Sequence, residues 1–573
     1  MTAVILSAVD NSPNSANRYI TVIEENGEEK RISYSALAQQ ALAVSSALVE
    51  LGVRRNDLVI LALPASIDHL ILLAGCVLIA ALPCTVPLPG RLTADSPRNQ
   101  VYLACQAFTP RLLIAGPANT AMLGLLLASL PTRVISTDEV TVAARTGFRP
   151  HVQRCHASSG HHVQLTSGST GQPKAVILSH RNVMANVLGI GGAIGYDPER
   201  GDATASWLPM YHDMGLVTLL SNLYYQAPLL LMQPASFIRN PLGWLKRMAH
   251  FGATTTASPT FGLQYCIRRY REASMSGVDL SQLRNIFVGA ERVDEKCLSD
   301  FFQTFASHGL CRSALQPCYG MAESTLAVTM HDTNAEARSE CSYLVADRID
   351  ADSLLEHWQA RRANADSRTV ETVLSMGRPI AGMQVEIRAP DNDRAKDREV
   401  GEIFIRGSSV MSGYMPAQGQ TEPYQDGDWF GTGDLGYQAD DHLYVLGRKK
   451  ELIIIRGSNY FPHEVEDIVA SRFSLDNESP AIVAIGVHDN TQGTESLLIF
   501  IEHEQIEAHA QLRTELQAQL RNKLGFAAHA IFFVPTGKLP RTTSGKLQRL
   551  KCRDFYLDGT LPLQKSSPAT MPA

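Results

Sequence analysis

The sequence contains no closely spaced cysteine pair and no long apolar run. Its ten cysteines lie far apart, no C-x-x-C pair occurs, and no group of cysteines and histidines has the spacing of a zinc site. We therefore expect free thiols in a reducing compartment. The longest apolar stretch, residues 70–82, is shorter than the ~20 residues that span a bilayer, so it predicts a buried core helix and no membrane span. The N-terminus has no basic region before its short apolar run, which argues against a secretory signal and favours a cytoplasmic protein.

An excess of charge of one sign is also lacking. The 573 residues include 51 Lys and Arg and 57 Asp and Glu, a net charge of −6. So small an excess gives no overall field that would draw the chain to nucleic acid, and no nucleic-acid partner is expected. Apolar residues make up 45% of the chain and charged residues 19%, which excludes a disordered, collagen-like or coiled-coil protein. At ~150 residues per domain, the length predicts roughly three or four compact units.

Short apolar runs alternate with helical patterns along most of the chain and predict an α/β fold with parallel sheet. Asn26-Gly27 between two alternating runs predicts a β-hairpin. From about Val385 the runs are separated by Gly, Asp and Pro, which predicts an antiparallel, β-rich section such as a small barrel. A second, compact α/β unit begins at about Gly447, and the Pro/Ser/Ala-rich tail is expected to be disordered. The largely polar segment 331–376 interrupts the alternation and is interpreted as an insertion.

The segment LTSGSTGQPK, residues 165–174, is the first candidate for chemistry. Its small residues allow backbone N–H groups to point inward, and such a row of N–H groups with Ser and Thr hydroxyls forms a nest for a phosphate. Lys174 adds a positive charge. The segment is not a Walker loop, because the G-x-x-x-x-G-K pattern fails at Pro173. A flexible surface loop is the alternative, but the apolar strands on both sides favour phosphate binding.

Three further motifs each present a charged residue. Glu323 follows a Tyr-Gly turn and is either a surface residue or, as its apolar surroundings favour, a semi-buried carboxylate that takes a cation such as Mg²⁺ beside a triphosphate. Asp434 sits in a glycine-rich turn and either bonds its own backbone or accepts from ribose hydroxyls, with Arg448 as a planar donor close by. Lys546 lies on a basic loop that is either a solvated surface segment or a donor that neutralises charge in a transition state.

These four motifs, in this order and spacing, resemble the adenylate-forming superfamily of acyl-CoA synthetases, peptide-synthetase adenylation domains and luciferases. The resemblance covers nearly the whole chain. Within the superfamily the chain most resembles the fatty acyl-AMP ligases, through the segments SWLPMYHDMGL, SPTFGLQYC and VGAERV and the insertion after Glu323.

The resemblance implies a large N-terminal AMP-binding domain, residues 1–446, made of two α/β lobes and a distorted β-barrel. A small mobile α/β domain, residues 447–562, and a tail, residues 563–573, would follow. The implied reaction activates a carboxylate with ATP and Mg²⁺, giving an acyl-adenylate and pyrophosphate. Lys450 would be the hinge about which the small domain rotates.

The resemblance also implies roles for individual residues. Lys546 would bridge the attacking carboxylate and the α-phosphate, and Glu323 would coordinate Mg²⁺ with help from Thr170. Asp434 would bind the ribose hydroxyls, with Arg448 nearby. The β- and γ-phosphates would be held by Thr166, Ser167, Gly168, Ser169, Thr170, Gly171 and Lys174. Adenine and the α-phosphate region would be framed by Gly289, Ala290, Glu291, Tyr319, Gly320 and Met321.

An acyl pocket is expected from the apolar and aromatic segments SPTFGLQYC, with Ser258, Pro259 and Phe261, and LVTLLSNLYY. Such walls suit an aliphatic chain, since each buried CH₂ contributes ~0.8 kcal/mol. His212 is either a satisfied core residue or, as the resemblance implies, a catalytic residue near the acyl carboxylate. Two positions depart from the family pattern: Arg292 stands where the ligases often have proline, and Glu451 where aspartate is commoner.

The acceptor of the acyl group separates the remaining hypotheses. A fatty acyl-AMP ligase would pass it to the phosphopantetheine of an acyl carrier protein, or of a carrier domain in a polyketide or peptide synthase, because an insertion restrains domain rotation. An acyl-CoA synthetase would use coenzyme A, and a catalytically inactive nucleotide-binding protein would use neither. We place the restraining insertion at 331–376, where Leu354, Leu355 and Trp358 are apolar enough to pack against a domain.

Overall fold

The computed structural model describes residues 18–88, 100–146, 151–167, 173–333, 344–365, 367, 369–416, 427–455, 458–473, 480–489, 494–504, 509–542 and 546–563. The predicted phosphate-loop residues Gly168, Ser169, Thr170 and Gly171, together with Cys341 and the tail from 564, lie outside this part of the chain.

The strands, in chain order, are β1 (Tyr19–Ile23), β2 (Glu29–Ser33), β3 (Leu58–Ala62), β4 (Leu82–Thr85), β5 (Leu112–Ala115), β6 (Arg133–Ser136), β7 (Gly160–Ser167), β8 (Pro173–Ser179), β9 (Thr204–Ser206), β10 (Leu229–Met232), β11 (Thr255–Ser258), β12 (Asn285–Val288), β13 (Leu315–Pro317), β14 (Tyr319–Gly320), β15 (Ala327–Met330), β16 (Ala346–Asp350), β17 (Val370–Leu374), β18 (Arg378–Pro379), β19 (Met383–Arg388), β20 (Gly401–Gly407), β21 (Gly413–Tyr414), β22 (Phe430–Ala439), β23 (His442–Arg448), β24 (Ile453–Ile455), β25 (Ser458–Tyr460), β26 (Ile482–Asp489), β27 (Thr494–Glu502) and β28 (Ala530–Val534).

The helices are α1 (Tyr34–Glu50), α2 (Ile67–Leu78), α3 (Gln100–Phe108), α4 (Pro117–Leu126), α5 (Thr137–Thr146), α6 (His180–Ile194), α7 (Asp213–Tyr225), α8 (Pro234–Arg239), α9 (Pro241–Phe251), α10 (Thr260–Arg269), α11 (Glu272–Met275), α12 (Glu295–Phe305), α13 (Ala351–His357), α14 (Pro462–Phe473), α15 (His509–Leu524) and α16 (Arg549–Leu557).

Two mainly parallel sheets confirm the predicted α/β character of the N-terminal region. One has the order β13-β12-β11-β9-β10-β1-β2 and the other the order β4-β3-β5-β6. The hairpin predicted at Asn26-Gly27 is the antiparallel pair β1–β2. The predicted buried helix is α2, which begins after its Ser66 cap and is buried on all sides from His69 to Leu78, as the almost wholly apolar sequence of that stretch requires.

Antiparallel sheets follow where the sequence becomes rich in turn residues. Strands β19, β20, β22 and β23 form a four-stranded sheet, and β7 and β8 pair antiparallel with β21 at the edge. Within the described residues these strands belong to separate sheets, so the expected distorted barrel is not a closed one. Each sheet packs one face on the core, which is sufficient for burial without closure.

The described part of the insertion forms a β-hairpin with a helix, β16–α13–β17. Its apolar residues Ile349, Leu354 and Val373 pack with β22 and β23 and also with Phe461, just beyond β25. The insertion therefore contacts both the large antiparallel sheet and the start of the C-terminal unit. That unit is built on the sheet β26-β27-β28 with α14, α15 and α16. The predicted boundary at 446 falls inside β23, which continues to Arg448.

No helix in the described part of the chain is long and apolar enough to cross a membrane. The nine described cysteines are all free thiols, and six of them are buried.

Candidate functional site

A cavity of ≈ 2280 Å³ collects residues from all four motifs. It lies at the ends of the parallel strands of the large sheet, between that sheet, the β20–β22–β23 sheet and the C-terminal unit. The predicted site residues that line it are Thr166, Lys174, His212, Phe261, Ala290, Glu291, Tyr319, Gly320, Met321, Glu323, Asp434, Arg448, Lys450 and Lys546.

The β7–β8 hairpin brings Thr166 and Lys174 to the cavity as directly paired residues. Ser167 is the last residue of β7 and pairs with Pro173, the first residue of β8. The Lys174 ammonium lies 4.7 Å from the centre of the Tyr414 ring, a cation–π contact.

Glu323 lies in a single helical turn, residues 322–324, and is 9% exposed. The Tyr414 hydroxyl donates to its Oε1 at 2.9 Å. Burial raises the pKa of the Glu323 carboxyl, and the Tyr414 hydrogen bond opposes that rise. A buried carboxylate held by a neutral donor retains the capacity to bind a cation.

Asp434 and Arg448 face each other across β22 and β23, where their Cα atoms are in register. Arg448 Nε lies 3.2 Å from Asp434 Oδ1, and the Tyr319 hydroxyl donates to Asp434 Oδ2 at 2.7 Å. Burial raises the pKa of Asp434, against the opposing effects of Arg448 and Tyr319. The carboxylate is thus fixed in position from two sides before any ligand arrives.

The Lys546 side chain crosses from the C-terminal unit and donates to the backbone carbonyl of Ala290. Ala290 has φ 70°, in the left-handed region that non-glycine residues seldom adopt, and such local strain concentrates at functional sites. Beside it, a Cβ on Gly289 would lie 2.7 Å from the Cys318 carbonyl oxygen, so glycine is required where the ends of β12 and β13 meet.

Two carboxylates face the Lys546 ammonium. Burial lowers the pKa of Lys546, while Asp213 and Glu291 oppose that shift. Glu291 also accepts from the Phe261 backbone N–H at 2.8 Å, so it caps the start of α10. Burial and the nearby lysine lower the pKa of His212 to about 4, so its imidazole is neutral at neutral pH.

From this charged region the cavity continues along α7. Phe261 lines this part, whereas Ser258 and Pro259 lie outside the lining. Ser258 is fully buried, and its hydroxyl donates to the Pro259 carbonyl. Trp207 and Phe237 stack at 3.9 Å behind this wall and make it rigid.

Ion pairs connect the C-terminal unit to the rest of the chain. Arg292 donates to Asp467 on α14 at 2.7 Å and lies 3.5 Å from Glu371 on β17 of the insertion. Glu451, beside Lys450, pairs with Arg549 at 2.9 Å within the C-terminal unit itself. Both residues that depart from the family pattern therefore form ion pairs, and the pair of Arg292 with Asp467 joins the C-terminal unit to the rest of the chain.

The described residues contain no cluster of three or more His, Cys, Asp or Glu side chains that could hold a metal ion. Glu323 alone fits Mg²⁺, an ion commonly bound by one or two carboxylates with substrate phosphates completing its shell.

Two site residues were not identified from the sequence. Tyr414 contacts both Lys174 and Glu323, although it lies far from both in the chain. Asp213, the neighbour of His212 in the chain, faces Lys546. Its place at the first turn of an apolar helix beside His212 was the available signal.

A family model described as "AMP-binding enzyme" matches residues 9–415. The chain is 29% identical over 563 residues to a medium-chain-fatty-acid–acyl-carrier-protein ligase of Moorena producens, covering 94% of this chain and 92% of that protein.

Solved structures agree over the full length. One, from studies of fatty acyl-adenylate ligases from E. coli and L. pneumophila, has a TM-score of 0.86 and 29% identity and covers 97% of this chain and 98% of its own. Another, a fatty acyl-adenylate ligase from L. pneumophila in complex with acyl adenylate and pyrophosphate, has a TM-score of 0.70 and 26% identity, with 98% and 96% covered.

Proposed function

The chain belongs to the AMP-binding enzyme family, and from that premise we propose that it is a fatty acyl-AMP ligase. It activates a fatty acid with ATP to an acyl-adenylate, releases pyrophosphate and passes the acyl group to the phosphopantetheine of a carrier protein. The relatives named for fatty-acid–carrier-protein ligation and for acyl-adenylate ligation support this assignment.

One observation carries the proposal. The Lys546 ammonium, delivered by the C-terminal unit, lies on the Ala290 carbonyl where the charged part of the cavity meets the part along α7. A cation at that junction can contact a carboxylate that arrives from the part of the cavity along α7 and a phosphate that arrives from the charged part.

The chemistry needs little covalent help from the protein. A carboxylate oxygen attacks the α-phosphorus, a new O–P bond forms, and the bond to the β-phosphate breaks as pyrophosphate leaves. Because two anions must approach, positioning and charge neutralisation dominate the barrier. We assign charge neutralisation to Lys546, ribose binding to Asp434 and Arg448, and phosphate binding to the β7–β8 hairpin with Lys174. Mg²⁺, held by Glu323, supplies further neutralisation on the phosphates when it is bound.

A fatty-acid-dependent pyrophosphate assay tests the activation step. Losing one preorganised donor costs ~2.7–4 kcal/mol of barrier, so we expect Lys546→Ala to release pyrophosphate roughly 100- to 1000-fold more slowly. ATP binding, measured by calorimetry, should remain. Lys538→Ala, on the exposed part of the same loop and outside the cavity lining, is the matched control. Near-normal pyrophosphate release by Lys546→Ala would remove this lysine from the mechanism.

For the second step, we propose that the insertion acts as a brace that limits rotation of the C-terminal unit. Leu354 packs in one cluster with Phe461, and Arg292 links Asp467 to the side of Glu371. Full rotation about Lys450 would break these contacts. The carrier thiol is then the preferred acceptor over coenzyme A.

Offering coenzyme A and a holo-carrier protein side by side tests this step. We expect the acyl thioester on the carrier, and a predominance of acyl-CoA would favour the acyl-CoA synthetase alternative. Deletion of residues 346–370, and the milder Arg292→Ala, should raise acyl-CoA formation. If both variants fold and stay inert towards coenzyme A, the brace proposal fails.

A further inference from the structure

One face of α7 lines the cavity over the whole length of the helix. The lining residues are Asp213, Met214, Val217, Thr218, Ser221, Asn222 and Tyr225, at the three- and four-residue intervals of a single helical face. The leucines between them, including Leu219, Leu220 and Leu223, are buried in the core on the other side. At 1.5 Å per residue the tunnel follows α7 for about 18 Å beyond the site of Lys546.

The chemistry of the wall changes along this tunnel. Met214 and Val217 are apolar and lie near the reacting groups, whereas Ser221, Asn222 and Tyr225 are polar and lie at the far end. Opposite them, the Tyr196 hydroxyl lies 2.7 Å from Thr204 Oγ1 and 3.0 Å from Asn222 Oδ1. Tyr196 and Thr204 also line the cavity, beside the apolar Ile190 and Ile194 of α6, so the far end combines apolar wall with a hydrogen-bonded polar group.

Two more hydroxyls line this end of the cavity, those of Tyr225 and Ser221, and they have no hydrogen-bond partner among the described residues. The Tyr225 hydroxyl projects towards Gly191 of α6, where a Cβ would overlap it. Burial raises the pKa of Tyr225, which keeps the phenol protonated and able to donate. Both residues are partly exposed to the cavity, and a bound acyl chain that ends in a methyl group would cover these donors without meeting them, at a cost of about 1–3 kcal/mol.

We propose that the far end of the tunnel binds an oxygen carried near the ω end of the acyl chain, so that the preferred substrates are oxygenated medium- to long-chain acids. The inference rests on the proposed fatty-acid activation and adds a substrate class to it. With C–C bonds of about 1.5 Å, an extended chain advances about 1.3 Å per methylene. Ser221 and Tyr225 then lie opposite roughly the ninth to the fourteenth carbon, given the 1.5 Å helical rise.

The test compares matched acids in the pyrophosphate assay: dodecanoic and tetradecanoic acid, each beside its ω-hydroxy derivative. We expect kcat/KM for the hydroxy acid to exceed that of the plain acid by about tenfold, the value of one hydrogen bond. Tyr225→Phe should bring the ratio to about one. Tyr224→Phe, the adjacent tyrosine on the same helix but outside the cavity lining, should keep the wild-type ratio.

A wild-type ratio near one, or a Tyr225→Phe ratio equal to that of wild type, overturns the substrate class while leaving fatty-acid activation intact. A loss of the preference in Tyr224→Phe as well as in Tyr225→Phe also overturns it, because the effect would then reflect packing. If none of the four acids gives pyrophosphate release, the proposed function and this inference are both overturned.

Discussion

The two ends of the cavity treat their polar groups in opposite ways. At the reaction end, around Lys546, Glu323 and Asp434, each charged group already has a protein partner, such as Tyr414 for Glu323. At the tunnel end, around Ser221, Asn222 and Tyr225, two hydroxyls have none among the described residues. Under the proposed function, the reaction end would be preorganised for the transition state, which avoids reorganisation during the reaction. The tunnel end would leave hydrogen bonds for the substrate to complete.

The largest effect in this comparison should come from removing the charge of Asp434 at the reaction end. Asp434→Asn removes the charge that holds Arg448 and accepts from Tyr319. Hydrogen bonds to charged groups contribute about 1.5–3 kcal/mol, so kcat/KM for ATP should fall about 10- to 150-fold. Steady-state pyrophosphate release at varied ATP measures this. Asp441→Asn, in the exposed turn of the same hairpin, is the control, and an equal loss there would contradict the local explanation.

Low pH should destabilise the packing of β7 against α6, the two elements that lead to the two ends of the cavity. His161 and His162 on β7 and His180 at the start of α6 form a buried cluster, with the His161 and His162 Nδ1 atoms 2.8 Å apart. Strand β7 leads to the reaction end and α6 to Gly191 at the tunnel end. Burial lowers the pKa of His162 to about 3 and of His180 to about 4, and lowers that of His161 as well.

These folded-state pKa values lie below the value of about 6.5 for an exposed histidine, so the unfolded chain binds protons first as the pH falls. Stability is therefore complete above pH ~6.5 and falls below it by about 1.4 kcal/mol per pH unit for each histidine. Urea unfolding at a series of pH values measures the slope. His162→Gln should flatten it, and His156→Asn, at an exposed position, should not. An unchanged slope in His162→Gln would exclude the cluster as its source.

The smallest effect is expected at the tunnel end, from a change in the space available to the acyl chain. In Gly191→Ala the new methyl group meets the Tyr225 hydroxyl and shortens the space for the chain. The optimum should move to acids shorter by one or two methylenes, each worth ~0.8 kcal/mol or about fourfold in kcat/KM. A chain-length series measures the shift. Gly192→Ala adds a methyl group that meets nothing within 4 Å and should leave the optimum in place. If Gly191→Ala keeps the optimal chain length of the wild type, the acyl chain does not bind beside Gly191.

The sequence indicated the reaction end better than the tunnel end, and the reason is physical. Small residues between two apolar strands predict a backbone nest, and the two strands are present as β7 and β8, which pair at Thr166 and Lys174. The segment LVTLLSNLYY was interpreted as an apolar wall from its composition. Its leucines face the core, and the helical period turns Thr218, Ser221 and Asn222 towards the cavity. A count along 3.6 residues per turn would have separated the two faces.

Other contacts depend on how distant segments pack, which local patterns do not encode. Tyr414 reaches Glu323 from another sheet. Arg292 meets Asp467 only because the C-terminal unit packs beside β12 and the insertion. Ser258 and Pro259, predicted for the acyl pocket, lie outside the cavity lining, to which α10 contributes Phe261.

The division of α7 into two faces also bears on how such an enzyme diversifies. The core face is crowded with leucines, so exchanges there disturb packing and destabilise the protein. At its far end the cavity face carries Ser221, Asn222 and Tyr225, about 12 to 18 Å along the helix from Asp213, so under the proposed function exchanges there would alter which acid is accepted and leave the reacting groups in place. New substrates could then arise by single exchanges on an unchanged scaffold.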